Sequence, residues 1–438
     1  MVSLLDAIRD HAARTPEATA LRAPGRTIGY RQLDTWIDRL AHLLTAHGSG
    51  PERVCALALE PGPESVVAVA AVLRAQGAFL TLDVTQPPPR LAAMVRSGGA
   101  TVLITRSAVR ERTGLTVDGP VIDLDDVAEP DGPGGWGPAG ATPVGSGRQL
   151  AYVSHTSGST GTPNAVLIER AGLDSYLGFH RPGLRPGPRH RGAPGRTPRL
   201  RRLHPRQTFA PLVAGGTVVL AERGTLLRAD SFAETLRREG VNTLLSVTPS
   251  FLTFLAQQDL AGEHLGGLRL VVTSGESLLP FLRSGARPPA ARQPGQTSTA
   301  PTECTMTATR HAVPPPSRTP PATWSGQPID GMTVRLTGPG GDEVPPGGTG
   351  EIVLGGIGVA RGYLGRPGLT ADRFRPDPGG PPGARAYPHR RPGIGPVRTG
   401  VLEYLGRSDR QVKIRGYRVD PAEIEASCSA TPGSPAPW

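Results

Sequence analysis

Hydrophobic positions from the N-terminus to about residue 280 follow two alternating periods. Tyr30, Leu33, Trp36, Ile37, Leu40, Leu43 and Leu44 recur at helical spacing and stop at Gly48, a common helix terminator. The apolar run VCALALE then predicts a buried strand, PESVVAVAAVLRAQG a helix opened near Pro63, AFLTLD a strand, PRLAAMVRSGG a helix and TVLIT a strand. Farther along, GGTVVLA, DSFAETLRREG, VNTLLSV, PSFLTFLAQQ and LRLVVTSGE repeat the order strand, helix, strand, helix, strand. Strands that are apolar on both faces and separated by helices mark parallel βα units, because each crossover lays a helix over the sheet. From about residue 330 short strands, MTVRLTG and GEIVLGG, lie between Pro/Gly turns. The expected fold is α/β: a large N-terminal domain of parallel βα-layered sheets plus a small β-rich subdomain.

Three stretches interrupt this pattern. Residues 177–206, 281–296 and 385–398 hold nine, three and four arginines, no acid and no apolar period. Proline removes a backbone donor and clashes inside a helix, so the first block is expected to build neither a helix nor a central strand. The net charge is +11, and because these blocks carry more than that, the rest of the chain is mildly acidic. A nucleic-acid arm would interleave aromatic stacking partners, which are nearly absent, so nucleic acid is not an expected partner. A single lysine, Lys413, stands against 47 arginines, the bias of a GC-rich gene. Such a gene read out of frame yields Arg, Pro, Gly and Ala. The segments near 177–206, 281–298 and 385–400 therefore read as coding-frame disturbances, each expected to be bracketed by single-base insertions or deletions.

Cys55, Cys304 and Cys428 have neither metal-ligand spacing nor an even count for disulfides, which points to the reducing cytoplasm. The N-terminal stretch MVSLLDAIRDHAART is too polar for a signal peptide, and no apolar run approaches a membrane span, so no membrane partner is expected.

The densest chemical signal is the run Thr156, Ser157, Gly158, Ser159, Thr160, Gly161, Thr162 and Pro163, directly after the apolar stretch LAYV. Glycines and small hydroxyl residues let backbone N–H groups and side-chain hydroxyls converge on an anion without Cβ obstruction. The run reads as a phosphate-gripping loop at the end of a strand, where ligands of parallel sheets bind. It is not the Walker pattern, because no Gly-Lys-Ser/Thr follows.

Taken with LRAQGAFLTLD, LRLVVTSGES, APTECTMTATRH, GEIVLGGIGVARGYLGRPGLTADRF and VLEYLGRSDRQVKIRGYRVDPAEIE, in this order and at these intervals, the loop resembles the adenylate-forming superfamily. More closely, the chain is similar to the amino-acid adenylation domain of a nonribosomal peptide synthetase. The resemblance implies ATP and Mg²⁺ as cofactors, an amino acid as substrate and a phosphopantetheinyl carrier protein as partner. The carboxylate attacks the α-phosphate of ATP, giving aminoacyl-AMP and pyrophosphate, and the acyl group then passes to the carrier thiol. By the same resemblance, Thr156 to Gly161 hold the leaving phosphates, Thr302 contacts the α-phosphate and Glu303 ligates Mg²⁺. Gly275 and Glu276 border the nucleotide cleft, Arg407 lies near the ribose, and Asp409 is the hinge of a small lid. Ser250, Val272, Ser274, Met306 and Thr307 line the substrate pocket. The domain boundary is expected between residues 407 and 408. A free-standing domain usually needs ~50 residues or more, and the segment from Asp409 to Trp438 is shorter than that, so a truncated α+β C-terminal lid is expected.

Several positions depart from the family pattern. Asn164 and Ala165 stand where the family has lysine and glycine, and Arg202 falls where an acid binds the substrate amine. Thr299 and Ala300 replace an adenine-stacking ring, no acid lies between Asp377 and Glu403 to hold the ribose, and the lid lysine is absent. Losing one preorganised charge-stabilising donor raises a barrier by ~3–4 kcal/mol, so impaired activity is expected. Two alternatives stay open: a stand-alone ligase for aryl or acyl acids, and a catalytically dead binding protein.

Overall fold

The computed structural model describes residues 3–127, 145–157, 163–184, 196–198, 205–221, 228–257, 267–276, 278, 296–299, 301–312, 323–345, 347–394, 402–405, 412–414 and 417–419. A central sheet of seven strands has the order Gly362–Tyr363, Asn164–Glu169, Leu150–Thr156, Ala78–Thr81, Val54–Ala58, Ala100–Thr105, Val121–Asp123. The last five are parallel, and the first two are each antiparallel to their neighbour. The strand Val54–Ala58 is buried at every position. Its alternating side chains explain this: Cys55 and Leu57 face one core with the helices Tyr30–Ala46 and Pro63–Arg74. Val54, Ala56 and Ala58 face another, with Leu91 and Val95 of the helix Pro88–Ser97. Helices thus cover both faces, as the apolar runs predict.

A ten-stranded sheet forms the second layer. Thr243–Val247, Leu270–Ser274 and Gln296–Thr299 pair in parallel. Antiparallel strands follow in the order Thr309–Ala312, Thr323–Pro328, Leu402–Tyr404, Arg385–Ile394, Thr349–Gly356, Met332–Thr337, with Arg375–Pro376 flanking Arg385–Ile394. The β-rich region after residue 330 is the antiparallel half of this sheet. A smaller sheet pairs Arg26–Gly29, Thr19–Ala23, Thr217–Val219 and Arg196–Pro198. The N-terminal helix Leu4–Arg14, the hairpin Thr19–Gly29 and the strand Asn164–Glu169 are elements that the hydrophobic pattern does not announce.

The arginine-rich blocks are more ordered than their composition suggests. The first contributes the end of the helix Arg170–Leu184, the strand Arg196–Pro198 and the start of the helix Pro205–Val213, contrary to the expectation that it builds no helix. Its strand is at the edge of the small sheet, where proline is tolerated. In the third block, Arg385–Ile394 is a strand containing Pro388 and Pro392. Both prolines lie between the stretch that pairs with Arg375–Pro376 and the stretch that pairs with Leu402–Tyr404. There, among the described residues, only the Thr349–Gly356 side carries a ladder, and its register breaks between Glu351 and Val353. One unpaired side and a break in register accommodate residues that cannot donate.

The boundary at 407 and 408 lies outside the described residues. Among those residues no helix is long and apolar enough to cross a membrane.

Candidate active site

The strand Leu150–Thr156 returns as Asn164–Glu169 with Thr156 opposite Asn164, so the candidate phosphate loop is the turn of a hairpin rather than the entry to a helix. Gly158, Ser159, Thr160 and Gly161 lie outside the described residues. Thr156 is buried, and the Ser157 hydroxyl is buried with no hydrogen-bond partner among the described residues. A buried unmatched hydroxyl is costly and asks for a ligand. Next to it, His155 Nε2 lies 2.9 Å from Ser97 Oγ. Burial, reinforced by Arg90, pulls the imidazole down to about 4, so His155 is neutral near pH 7 and brings no positive charge to the loop. Asn164 is neutral as well.

Thr302–Cys304 is a single 3₁₀ turn entered from Pro301, and it packs against the strand Asn164–Glu169 that leaves the loop. Glu303 is only 1% exposed. The Tyr363 hydroxyl donates to Glu303 Oε1 at 3.0 Å, and the Ala360 amide donates to the Glu303 carbonyl at 2.9 Å. Tyr363 in turn pairs with Val166 of that same strand. The loop hairpin and the acidic turn are therefore two attachments to one strand, although they stand far apart in sequence.

After Cys304 the backbone turns sharply. Thr305 and Met306 have φ of 42° and 64°, in the left-handed region that costs a non-glycine residue ~1–3 kcal/mol. The Thr305 hydroxyl donates to the Gly358 carbonyl at 2.7 Å, which holds the turn in place. Thr307 is buried, and its amide donates to the Thr305 carbonyl at 2.7 Å. The Cys304 thiol is fully buried; desolvation, aided by the neighbouring Glu303 charge, pushes it well above its ordinary range, which makes it inert.

The remaining described candidate residues cluster around the strand Leu270–Ser274. Val272 is buried in the large core and Met306 packs against that same core. Ser274 Oγ lies 2.9 Å from Ser246 Oγ at the end of the adjacent strand. Gly275 has φ of +89°, a conformation that glycine adopts without strain. Glu276 accepts from the Ser250 amide at 3.0 Å, at the first turn of the helix Pro249–Gln257, where a carboxylate complements exposed N–H groups. Ser250, Ser274, Gly275 and Glu276 thus gather beyond the carboxyl end of one strand. Arg407 and Asp409 lie outside the described residues.

Two side chains that carry no role in the sequence reading, Arg361 and Tyr363, join these pieces. Arg361 donates from Nε to Glu169 at 3.0 Å and from Nη2 to Glu52 at 3.1 Å and to the Arg148 carbonyl. Glu52 also accepts from the Leu150 amide at 3.0 Å, and its hydrogen bond with Arg361 holds its carboxyl below the usual range. Arg361 therefore ties both strands of the loop hairpin to the segment carrying Tyr363. Both residues fall within the motif ARGYLG, the only sequence signal that could have raised them.

Among the described residues no three His, Cys, Asp or Glu side chains cluster as a metal cage. Mg²⁺ is ordinarily held by one or two carboxylates plus substrate phosphates. A buried carboxylate packed on the strand that leaves a loop with an unmatched Ser157 hydroxyl fits that donor set.

Comparisons with known proteins agree with this geometry. The AMP-binding enzyme family pattern matches residues 8–364. The phosphinothricin tripeptide synthetase PhsC of Streptomyces viridochromogenes is 39% identical over 436 residues, 97% of this chain and 38% of its own length. A dimodular nonribosomal peptide synthase of Bacillus subtilis is 32% identical, with coverage of 97% and 18%. The chain therefore spans well under half the length of these relatives. Among solved structures, the AMPPNP-bound form of the nonribosomal peptide synthetase FmoA3 superposes with a TM-score of 0.79 at 27% identity, over 93% of this chain and 43% of that one. A nonribosomal peptide synthetase protein containing adenylation and PCP domains, bound to a vinylsulfonamide inhibitor, gives 0.81 at 25% identity, over 98% and 72%. With its central sheet, hairpin loop and buried acidic turn arranged in this way, the chain belongs to the AMP-binding enzyme family, in the branch of the nonribosomal peptide synthetase adenylation domains.

Proposed function

We propose that the chain is built to activate an amino acid with ATP and to pass the acyl group to the phosphopantetheine thiol of a carrier protein. A carboxylate oxygen attacks the α-phosphorus, the bond to the bridging oxygen of the β-phosphate breaks, and pyrophosphate leaves; a thiolate then displaces AMP from the acyl carbon. The observation that carries this reading is the packing of the Thr302–Cys304 turn on the strand that leaves the loop. In this reading Thr156, Ser157 and the glycines that follow receive the leaving phosphates, Thr302 orients the α-phosphate, and Glu303 faces the cation. When bound, Mg²⁺ neutralises charge developing on the phosphates. Arg407 contacts the ribose, Asp409 is the lid hinge at a boundary after residue 407, and Ser250, Val272, Ser274, Met306 and Thr307 shape the amino-acid pocket. The adenylation and PCP domains of one solved relative support a carrier-protein partner, and the cytoplasm supplies the reduced thiols and ATP that this chemistry needs.

Activity is impaired in this reading. Asn164 brings no cation to the loop, Arg202 opposes an ammonium, and the ring and acid expected around the nucleoside are missing. Amino-acid-dependent ATP–pyrophosphate exchange by the purified chain tests the proposal. Weak exchange with amino acids, none with aryl acids, and a further loss of ~10²–10³-fold in Glu303→Gln are expected. Exchange driven by an aryl acid would replace it with the stand-alone ligase.

A further inference from the structure

Glu303 is not an isolated carboxylate. Its partner Tyr363 is buried, and the Tyr387 and Arg373 side chains stand beside its hydroxyl. Arg373 also reaches the Tyr387 hydroxyl at 3.5 Å and lies over the Tyr387 ring at 5.7 Å. Phe374 fixes both phenols, with ring centroids 5.3 Å from Tyr363 and 5.4 Å from Tyr387. The result is a chain, Arg373, Tyr387, Tyr363, Glu303, that runs from a half-buried arginine at the end of the helix Pro367–Arg373 through two buried phenols to the acidic turn. The Tyr363 hydroxyl makes the last link, donating to Glu303 Oε1 at 3.0 Å.

We infer that Tyr363 is a positioning residue for Glu303: its hydroxyl, backed by Tyr387 and Arg373, orients the carboxylate toward a divalent cation carried by a bound nucleotide. The inference rests on the reading of Glu303 as a cation ligand. A carboxylate that must meet a metal gains from a fixed rotamer, and groups holding a ligand in place typically change metal affinity by ~10–100-fold when removed. Neither phenol touches the nucleotide in this scheme. Tyr387 belongs to the strand Arg385–Ile394, which places the first residues of the third arginine-rich block behind the site.

The test measures AMPPNP affinity of the full chain by calorimetry, with Mg²⁺ and with EDTA, so that no turnover is needed. In the unaltered chain Mg²⁺ tightens AMPPNP binding. Tyr363→Phe is expected to lose ~10-fold or more of that Mg²⁺-dependent gain and to recover it when Mg²⁺ is raised tenfold, with binding in EDTA unchanged. Tyr387→Phe is expected to lose a smaller part, and Glu303→Gln to lose the whole gain without recovery. If Glu303→Gln loses the gain while Tyr363→Phe keeps it, the positioning role is overturned and the ligand reading stands. If Glu303→Gln keeps the gain, or the unaltered chain shows none, the ligand reading falls and the inference falls with it. A fall in EDTA binding equal to the fall in Mg²⁺ binding would mark Tyr363 as a general structural support and would also overturn the inference.

Discussion

The strands Val54–Ala58 and Arg385–Ile394 reach similar backbone geometry by opposite routes. The first is buried at all five positions and pairs on both sides, so its own side chains decide its place. The second, RAYPHRRPGI, carries two prolines and three arginines and is held by its neighbours: Thr349–Gly356 along most of its length, and short partners only at its ends. An apolar pattern thus specifies a strand wherever it sits, whereas a poor pattern becomes a strand only where an existing sheet edge offers a ladder. The same contrast explains how residue 387, just inside an aberrant block, ends up behind the site.

The strongest way to break the contrast is to damage the self-determined strand. Leu57→Ala, at a position only 2% exposed, is expected to cost ~2–5 kcal/mol, read as a shift of the urea midpoint. A cost below ~1 kcal/mol would mean that this strand too is held mainly by its neighbours.

A second test sits where periodic sequence meets the first block, in the helix Arg170–Leu184. Desolvation raises the Asp174 carboxyl to about 6, and Asp6 adds to this against the opposing pull of Arg170. A carboxyl whose folded value lies above its unfolded one favours the folded state while protonated. Stability is therefore expected to fall as pH rises from about 4 to 6, and the cost is complete above that window. Asp174→Asn should remove this slope and stabilise the chain by about 1–3 kcal/mol at pH 7, with little effect at pH 4. Urea midpoints for both proteins across this range check the sign; a parallel pair of profiles would show that Asp174 meets no more resistance than an exposed acid.

The smallest effect should come from the templated strand. Pro388→Val replaces a non-donor on a half-buried position opposite Val353, and a change within about 1 kcal/mol is expected, because no ladder is lost. Destabilisation as large as that of Leu57→Ala would erase the distinction between the two strands.

Much of the layered architecture is legible in sequence. The helix Tyr30–Ala46 ends two residues before Gly48, and Pro63 opens the next helix. The strand Asn164–Glu169 escapes the pattern because it follows directly on a loop whose composition dominates the reading, and the edge strand Arg196–Pro198 because proline and arginine carry no strand signal. The candidate site divides in the same manner. Thr156 and Ser157 stand in a compact run of glycines and small hydroxyl residues that reads as an anion loop, whereas Thr302 and Glu303 are singled out only by the resemblance of the segment around them to the family. Tyr363, Tyr387 and Arg361 announce no role, since a tyrosine or arginine among glycines has no local mark of the partner it meets in a distant part of the chain.

Local pattern was enough for the α/β class, the alternation of buried strands and helices and the loop, and the resemblance of the ordered motifs to a known family supplied the rest of what the sequence determined. The class, the alternation and the loop depend on periodicity and on short runs of special residues, which act over a few neighbouring positions. Folding alone made the loop the turn of a hairpin, hung both the loop and the acidic turn on one strand, and set two buried phenols and an arginine behind Glu303. Those arrangements come from sheet pairing and burial between segments far apart in the chain, where the energy of a contact belongs to the pair and is written in neither residue alone.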